Sequence, residues 1–281
     1  MPEGHTLHRL AGELTRCFAG DTVAAASPQG RFSDGAALLD ATRMDAVESW
    51  GKHLFAHFET ERILHVHLGL YGTFLTTLPP AEPPRGAVRL RLTSQRAVAD
   101  LRGPTVCAVV TPEQRATLVS RLGPDPLRAD ADPERGWALV RRSRRSLASL
   151  LMDQSVISGV GNVYRAEILF RHRLAPTTPG HLVARGVWDD LWNDLVVLMH
   201  QGVETGRIDT VLPIHETRPA SDSPLTEGRR GEVYVYRRTG QPCLVCGTRV
   251  RTRVVEGRNL YWCPTCQRRS GRRRRSEPRH L

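Results

Sequence analysis

Lysine is nearly absent from this chain of 281 residues: Lys and Arg together number 40, and Lys52 in "WGKHLF" is the one lysine. Pressure toward arginine was resisted at a single place. A compact ammonium does what arginine's planar fork cannot, so Lys52 is a candidate contact to an anion, with an incidental surface lysine as the alternative. Long apolar runs are also missing. The longest aliphatic stretch, around "LVVLM", is far too short to span a bilayer, and the opening lacks the basic-then-apolar layout of a secretion signal. These absences point away from a membrane and toward the cytoplasm. There is no internal repeat, which excludes a solenoid. Cysteine is scarce at six, and Cys17 and Cys107 stand alone in apolar surroundings, as reduced core residues would.

What is present is an ordinary globular composition with an uneven field. Apolar residues make up 40% and charged residues 25% of the chain, which excludes a disordered polymer, and the length fits about two domains. The formal net charge is +11, yet residues 228–281 hold fifteen Arg against three Glu (Glu232, Glu256, Glu277), a local +12. Everything upstream nearly cancels. Such a segment favours a polyanion, with nucleic acid ahead of an anionic membrane because no amphipathic anchor accompanies it. Nucleic-acid binding would place the protein at the nucleoid.

From Gly4 to Phe18, the apolar positions Leu7, Leu10, Ala11, Leu14, Cys17 and Phe18 recur at helical spacing. An amphipathic helix is therefore predicted, with Pro2 and Glu3 at its positive end. Between 53 and 111, "HLFAHFET", "ILHVHLGLYGTF", "AVRLRLTS" and "TVCAVVT" are short, β-rich and bounded by turn signals, as in an antiparallel sandwich. Helical pattern resumes in "WALVRRSRRSLASLLMDQ", "NVYRAEILFRHR" and "VWDDLWNDLVVLMHQGV". The polar stretch from Gly206 to Gly231 is long for a compact domain unless it is functional or mobile.

Three motifs carry chemistry. Cys243-x2-Cys246, sixteen residues, then Cys263-x2-Cys266 is zinc-ribbon spacing. Four thiolates leave no open position, so one structural zinc is expected. Arg249, Arg251 and Arg253 alternate along the first predicted strand of this finger and Arg258 precedes the second cysteine pair, where they can meet phosphates. In "ISGVGNVYRAEILF", a glycine turn runs into a helix beginning near Asn162. That is an anion site or a plain helix–helix turn. The opening "MPEGHTLHRL" is the third motif. Removal of methionine would expose a secondary amine on Pro2 beside the Glu3 carboxylate, a pair suited to Schiff-base chemistry; the bland alternative is a proline that starts a helix.

Taken together and in this order, "PEG" at the start, Lys52, the helix-two-turn-helix at 143–172 and the "GQPCLVCG…EGRNLYWCPTCQR" finger resemble the Fpg/Nei (formamidopyrimidine-DNA glycosylase and endonuclease VIII) family over essentially the whole chain. "PEGHTLHR" looks like the actinobacterial Nei2 branch. The resemblance implies an α+β fold with an N-terminal β-sandwich and flanking helices at 1–121, a linker at 122–136 and a helix-two-turn-helix domain at 137–231. A zinc-finger β hairpin at 232–270 and a disordered basic tail at 271–281 would follow.

It also implies a monomeric bifunctional DNA glycosylase and abasic-site lyase acting on damaged DNA. Its catalytic set would be Pro2, Glu3, Lys52 and Arg258, with Pro2 as nucleophile, Glu3 as general acid and base, and β,δ-elimination through one imine. Lys52, Asn162 and Arg258 match the family's phosphate clamps, and Leu70 and Tyr71 in "HLGLYG" match its wedge residues; read without the family, His65 and His67 nearby are structural. Arg249, Arg251 and Arg102 complete the expected DNA contacts. His5 and Thr6 depart from the family's proline and second glutamate. "DLRGPT" offers Arg102 without the aromatic of the purine-specific branch, which favours oxidised pyrimidines. A non-catalytic DNA-damage binder would keep the finger and the helix-two-turn-helix but not the chemistry; a zinc-ribbon transcription or RNA-binding factor would leave the opening unexplained.

Overall fold

A computed structural model describes residues 2–215 and 231–268. Most of the predicted Gly206–Gly231 loop and the Arg272–Arg275 run therefore lie outside the described residues. The chain divides into two compact units, Met1–Leu122 and Gly123–Leu281.

The first unit opens with α1 (Gly4–Phe18), whose predicted apolar stripe is buried at Leu7, Leu10, Ala11, Leu14 and Phe18. There follow β1 (Thr22–Ala26), α2 (Ser33–Leu39), β2 (Thr42–Trp50), β3 (His53–Phe58), β4 (Ile63–His67), β5 (Thr73–Thr77), β6 (Val88–Thr93), β7 (Val98–Arg102), β8 (Val106–Val110) and α3 (Pro112–Ser120). All strand pairs are antiparallel. Strands β5-β7-β6-β1 form one layer and β2-β3-β4-β8 the other, joined where β1 leaves β6 at Ala24 and pairs with β2 through Thr22 and Val23. Alternate residues point inward: Leu90 and Leu92 from one layer, Leu54, Ala56, Phe58, Leu64 and Val66 from the other, together with the apolar face of α1. Cys17 and Cys107 are partly buried against this core. Alternation alone predicts no strand at β1, β2 or β7. In β2 only Met44 and Ser49 are buried and a bulge interrupts the register between Met44 and Ala46, while β7 hides Asp100 among its apolar residues.

The second unit contains α4 (Pro133–Val140), α5 (Leu147–Leu150), α6 (Asn162–Arg171), α7 (Arg185–Thr205), β9 (Arg251–Val255) and β10 (Arg258–Trp262). The helical run expected over 137–154 splits in two. The Ser143 and Arg145 carbonyls accept from His181 and Gly180 instead of from the next helical turn, and Ser146 restarts the helix by capping the Ser149 N–H. α7 buries its predicted face of Trp188, Leu191, Trp192, Leu195, Leu198 and Met199 and ends at Gly206 in the left-handed region, φ +71°. The stretch predicted as a linker is packed at its start: residues 122–126 are buried, Gly123 N–H donates to the Gln154 carbonyl, and α4 begins at Pro133.

Candidate functional site

In the first unit, Pro2 is half-buried and Glu3 is wholly buried as the N-cap of α1. The Glu3 carbonyl accepts from Thr6 N–H at 2.9 Å, which starts the helix directly behind Pro2. The buried stripe of α1 thus fixes the terminus against the sandwich, and the helix end favours a carboxylate over an ammonium. His5 is buried, and burial above all lowers its pKa to about 4, so its ring is neutral. It lies 3.3 Å from Thr6 Oγ1. His5 and Thr6 thus make a small polar pair of their own.

Lys52 sits in the two-residue loop Gly51-Lys52 that joins β2 to β3, with Trp50 opposite His53. Gly51 adopts φ +59° and Lys52 does not enter the left-handed region, the pattern of a type II′ turn. Lys52 is half-buried near three histidines, His53, His65 and His67, of which sequence reading treats His65 and His67 as structural. His53 and His67 face each other across β3 and β4, and His53 Nδ1 lies 2.9 Å from His65 Nε2. Burial first, and then His65, His67 and Lys52, lower His53 to about 3; burial and then His67 lower His65 to about 4; His67 is lowered by burial and Lys52.

Past His67, the turn Gly69-Leu70-Tyr71-Gly72 projects Leu70 (53% exposed) and Tyr71 (88% exposed) into solvent. Gly69 is at φ +69°, and a Cβ there would lie 1.9 Å from Thr105 Oγ1. Arg102 ends β7 and does not sit on a loop. Its guanidinium donates to Asp100 at 3.0 Å and to the Arg85 carbonyl at 3.4 Å, while Asp100 also holds Arg91 in a two-point pair.

In the second unit, the glycine turn before α6 is braced from within. Gln154 accepts from Gly159 N–H and donates to the Val160 carbonyl, with Gly159 at φ +86°. Gly161 is the N-cap, so Asn162 opens α6. Asn162 Nδ2 donates to the Asn259 carbonyl at 3.0 Å, and the buried Arg165 donates to Asn162 Oδ1 and to the same carbonyl. Arg258 is next to Asn259, the first residue of β10 and exposed, directly after the Glu256-Gly257 turn, where both residues have positive φ. Arg258 thus lies one residue along the chain from the carbonyl that Asn162 binds. Arg251 and Arg253 are exposed on β9, and Arg253 lies over the Trp262 ring; Arg249 precedes the strand and donates to the Gly240 carbonyl.

Sequence reading misses three residues here: Arg165, Asn259 and Glu167. Glu167 is fully buried and accepts from the N–H groups of Tyr234, Val235 and Tyr236 at 2.7–2.9 Å and from Thr210 Oγ1 at 2.6 Å. Burial pushes its pKa up, and the four donors oppose that shift. It ties α6 to the segment entering the finger. The available signal is a lone acid in the apolar run "AEILF".

The four cysteine sulfurs lie within 4.8 Å of one another, with Cys243–Cys266 at 3.9 Å and Cys246–Cys263 at 3.4 Å. A tetrahedral zinc with Zn–S of about 2.3 Å sets sulfur–sulfur edges of about 3.8 Å, whereas a disulfide needs about 2.05 Å. The donor set fits one structural zinc held by Cys243, Cys246, Cys263 and Cys266.

Family comparison covers the same pieces. Residues 1–107 match the model described as formamidopyrimidine-DNA glycosylase N-terminal domain, 122–212 the formamidopyrimidine-DNA glycosylase H2TH domain, and 240–269 the zinc finger found in FPG and IleRS. The chain is 50% identical over 271 residues to endonuclease 8 1 of Mycobacterium tuberculosis, covering 95% of this chain and 100% of that protein. It is 32% identical over 273 residues to endonuclease 8 2 of Mycobacterium bovis, covering 95% and 100%, so the chain as a whole is more similar to the first homologue than to the second. The crystal structure of MutM (Fpg) from Thermus thermophilus is similar at 29% identity and TM-score 0.75, covering 95% of this chain and 98% of that one. Lactococcus lactis Fpg in complex with abasic-site DNA shares the fold at TM-score 0.77 and 19% identity, covering 95% and 100%.

Proposed function

The chain belongs to the formamidopyrimidine-DNA glycosylase/endonuclease VIII family of base-excision-repair DNA glycosylases, and from that premise we propose that it removes oxidised pyrimidines and then cuts the strand at the resulting abasic site. The observation that carries this reading is the placement of Pro2 directly before the buried Glu3 at the start of α1. With methionine removed, the Pro2 secondary amine attacks C1′ of the damaged nucleotide. The N-glycosyl bond breaks, the base departs, and the sugar ring opens as the amine and C1′ form an iminium. Glu3 protonates the ring oxygen as it leaves C1′ and then takes up the C2′ proton that the iminium acidifies. Loss of the 3′-phosphate by β-elimination and of the 5′-phosphate by δ-elimination follows from the same adduct.

Flipping a nucleotide out of the stack costs a few kcal/mol. Each unit has residues suited to supply that energy. Lys52 in the first, and Asn162 with Arg258 in the second, are suited to phosphates, with Arg251, Arg253 and Arg249 adding charge along the finger. Leu70 and Tyr71, exposed on a glycine-bounded turn, are suited to fill the vacated stack. Damaged DNA is accordingly the proposed partner, of a monomer working at the nucleoid; among the described residues no helix is long and apolar enough to cross a membrane. The preference for pyrimidines is supported by Arg102, which ends β7, is engaged by Asp100 and the Arg85 carbonyl, and is followed by Gly103 where the purine-specific branch has an aromatic.

A side-by-side incision assay tests this. Duplexes carrying thymine glycol, dihydrouracil, 8-oxoguanine or an abasic site should be cut in the first, second and fourth cases, leaving phosphate on both ends of the gap, with 8-oxoguanine cut least. Preferential cutting at 8-oxoguanine would overturn the substrate assignment, and failure to cut the abasic site would overturn the lyase.

A further inference from the structure

His67 joins the turn that carries Leu70 and Tyr71 to the end of β8: its backbone is tied to Thr105, just before that strand, and its ring to Gly69. Its carbonyl accepts from Thr105 N–H at 2.8 Å, and its ring Nδ1 accepts from Gly69 N–H at 3.1 Å. A backbone N–H can only donate, so Nδ1 carries no proton and the ring is the neutral Nε2–H tautomer. The surroundings favour that state. His53 packs against the His67 ring edge-on, with centroids 5.0 Å apart, and burial together with the neighbouring Lys52 ammonium disfavours a second proton.

The turn itself has little freedom to find this geometry by another route. Gly69 takes φ +69° in a position where a Cβ would collide with Thr105, and a Cβ on Gly72 would lie 2.3 Å from the Leu68 carbonyl, which already accepts from Gly72 N–H. Between these two close approaches, the Gly69 N–H is the group through which a side chain sets where Leu70 and Tyr71 begin.

We propose that His67 is a positioning residue for the wedge: its unprotonated Nδ1 fixes Gly69, and through Gly69 the direction in which Leu70 and Tyr71 enter the DNA stack. This rests on the reading of Leu70 and Tyr71 as the wedge. His67 thereby links the Lys52 end of β3 and β4 to the turn, so the element that receives the backbone also aims the residues that open the helix.

Two substitutions separate this role from mere packing. Asparagine places its carbonyl oxygen where Nδ1 stands, whereas glutamine places its terminal amide where Nε2 stands. His67→Asn should therefore keep the hydrogen bond to Gly69, and His67→Gln should lose it. The readout is the fluorescence rise of 2-aminopurine set opposite a tetrahydrofuran abasic analogue, which reports unstacking without chemistry. Binding to a single-stranded oligonucleotide bearing the same analogue, where there is no duplex to open, is measured alongside, and thermal unfolding shows that each variant is folded.

The full-length His67→Gln protein should unstack the reporter roughly fivefold or more slowly, the effect of one missing hydrogen bond, with its single-strand affinity within about twofold of the parent. His67→Asn should unstack at close to the parent rate. Equal rates in parent and both variants, or equal losses in both variants, would overturn the proposal. A Leu70→Ala/Tyr71→Ala protein provides the control for the underlying reading. If it unstacks normally, the wedge assignment falls and the role of His67 with it; if it fails to unstack while His67→Gln does not, only the role of His67 falls.

Discussion

Glu167 meets donors on every side, three backbone N–H groups and the Thr210 hydroxyl. Glu167→Gln would set an amide NH2 against N–H groups in a fully buried site, at a cost of about 3 kcal/mol. Chemical denaturation should show that loss, and an unchanged midpoint would contradict the role given to this carboxylate. The histidines above β3 and β4 make a separate prediction about pH. His53 and His65 have folded values of about 3 and about 4, below the ordinary value of 6.5. The unfolded chain therefore takes up protons first, and stability is lost as pH falls below about 6.5. Glu48 acts lower down. His57 and Arg115 outweigh burial to hold it at about 2, so its contribution is present above its unfolded value and is lost only between about 4.3 and that point. Between pH 7 and 5 the melting temperature should thus fall less in His65→Phe, which keeps the stack on Phe55, than in the parent. Parallel curves would contradict this. At this scale the sequence is legible where chemistry is local: four cysteines in two C-x2-C pairs, and Pro2 next to Glu3. Glu167 and Asn162 are not legible as anchors, because the backbone groups they bind lie far along the chain, at Tyr234–Tyr236 and at Asn259.

The finger hairpin is the element whose existence depends most on something other than its own packing. β9 is exposed along nearly all its length, and only Leu260 and Tyr261 of β10 are buried. Metal ligation must therefore supply much of its folding energy. Stripping the protein with a chelator should release one zinc per chain and abolish binding of lesion DNA, with most of the helical circular dichroism retained because α6 and α7 share their own core. Full incision by metal-free protein would contradict this. The helices and strands that apolar periodicity reveals are those with one clean buried face, such as α1 and α7. The split between α4 and α5 is hidden because the carbonyls that follow the first helix are claimed by Gly180 and His181, which no local pattern announces. β2 and β7 are hidden by a bulge and by a buried aspartate paired with Arg91.

For the molecule as a whole, the function we propose has charge govern how DNA is met and the Pro2 amine govern what is done to it. Residues 269–281 contain six Arg and one Glu. Truncation after Arg268 should lower the slope of log affinity against log salt, by up to about 0.9 for each phosphate that the tail neutralises, while incision of saturating substrate continues at the parent rate. Loss of turnover would assign the tail a part in the chemistry. The overall plan of sandwich, helical domain and zinc hairpin is legible because each part has its own pattern: turn-bounded β runs, a buried aromatic helix face and cysteine spacing. The order of strands is not, since it depends on long-range pairing. The most direct test of the central claim is borohydride trapping of the full-length protein on abasic-site DNA, followed by peptide mass mapping of the adduct. The account predicts a stable covalent complex carried on Pro2 as the first residue of the mature chain; no trapped complex, or an adduct on Lys52, would contradict it.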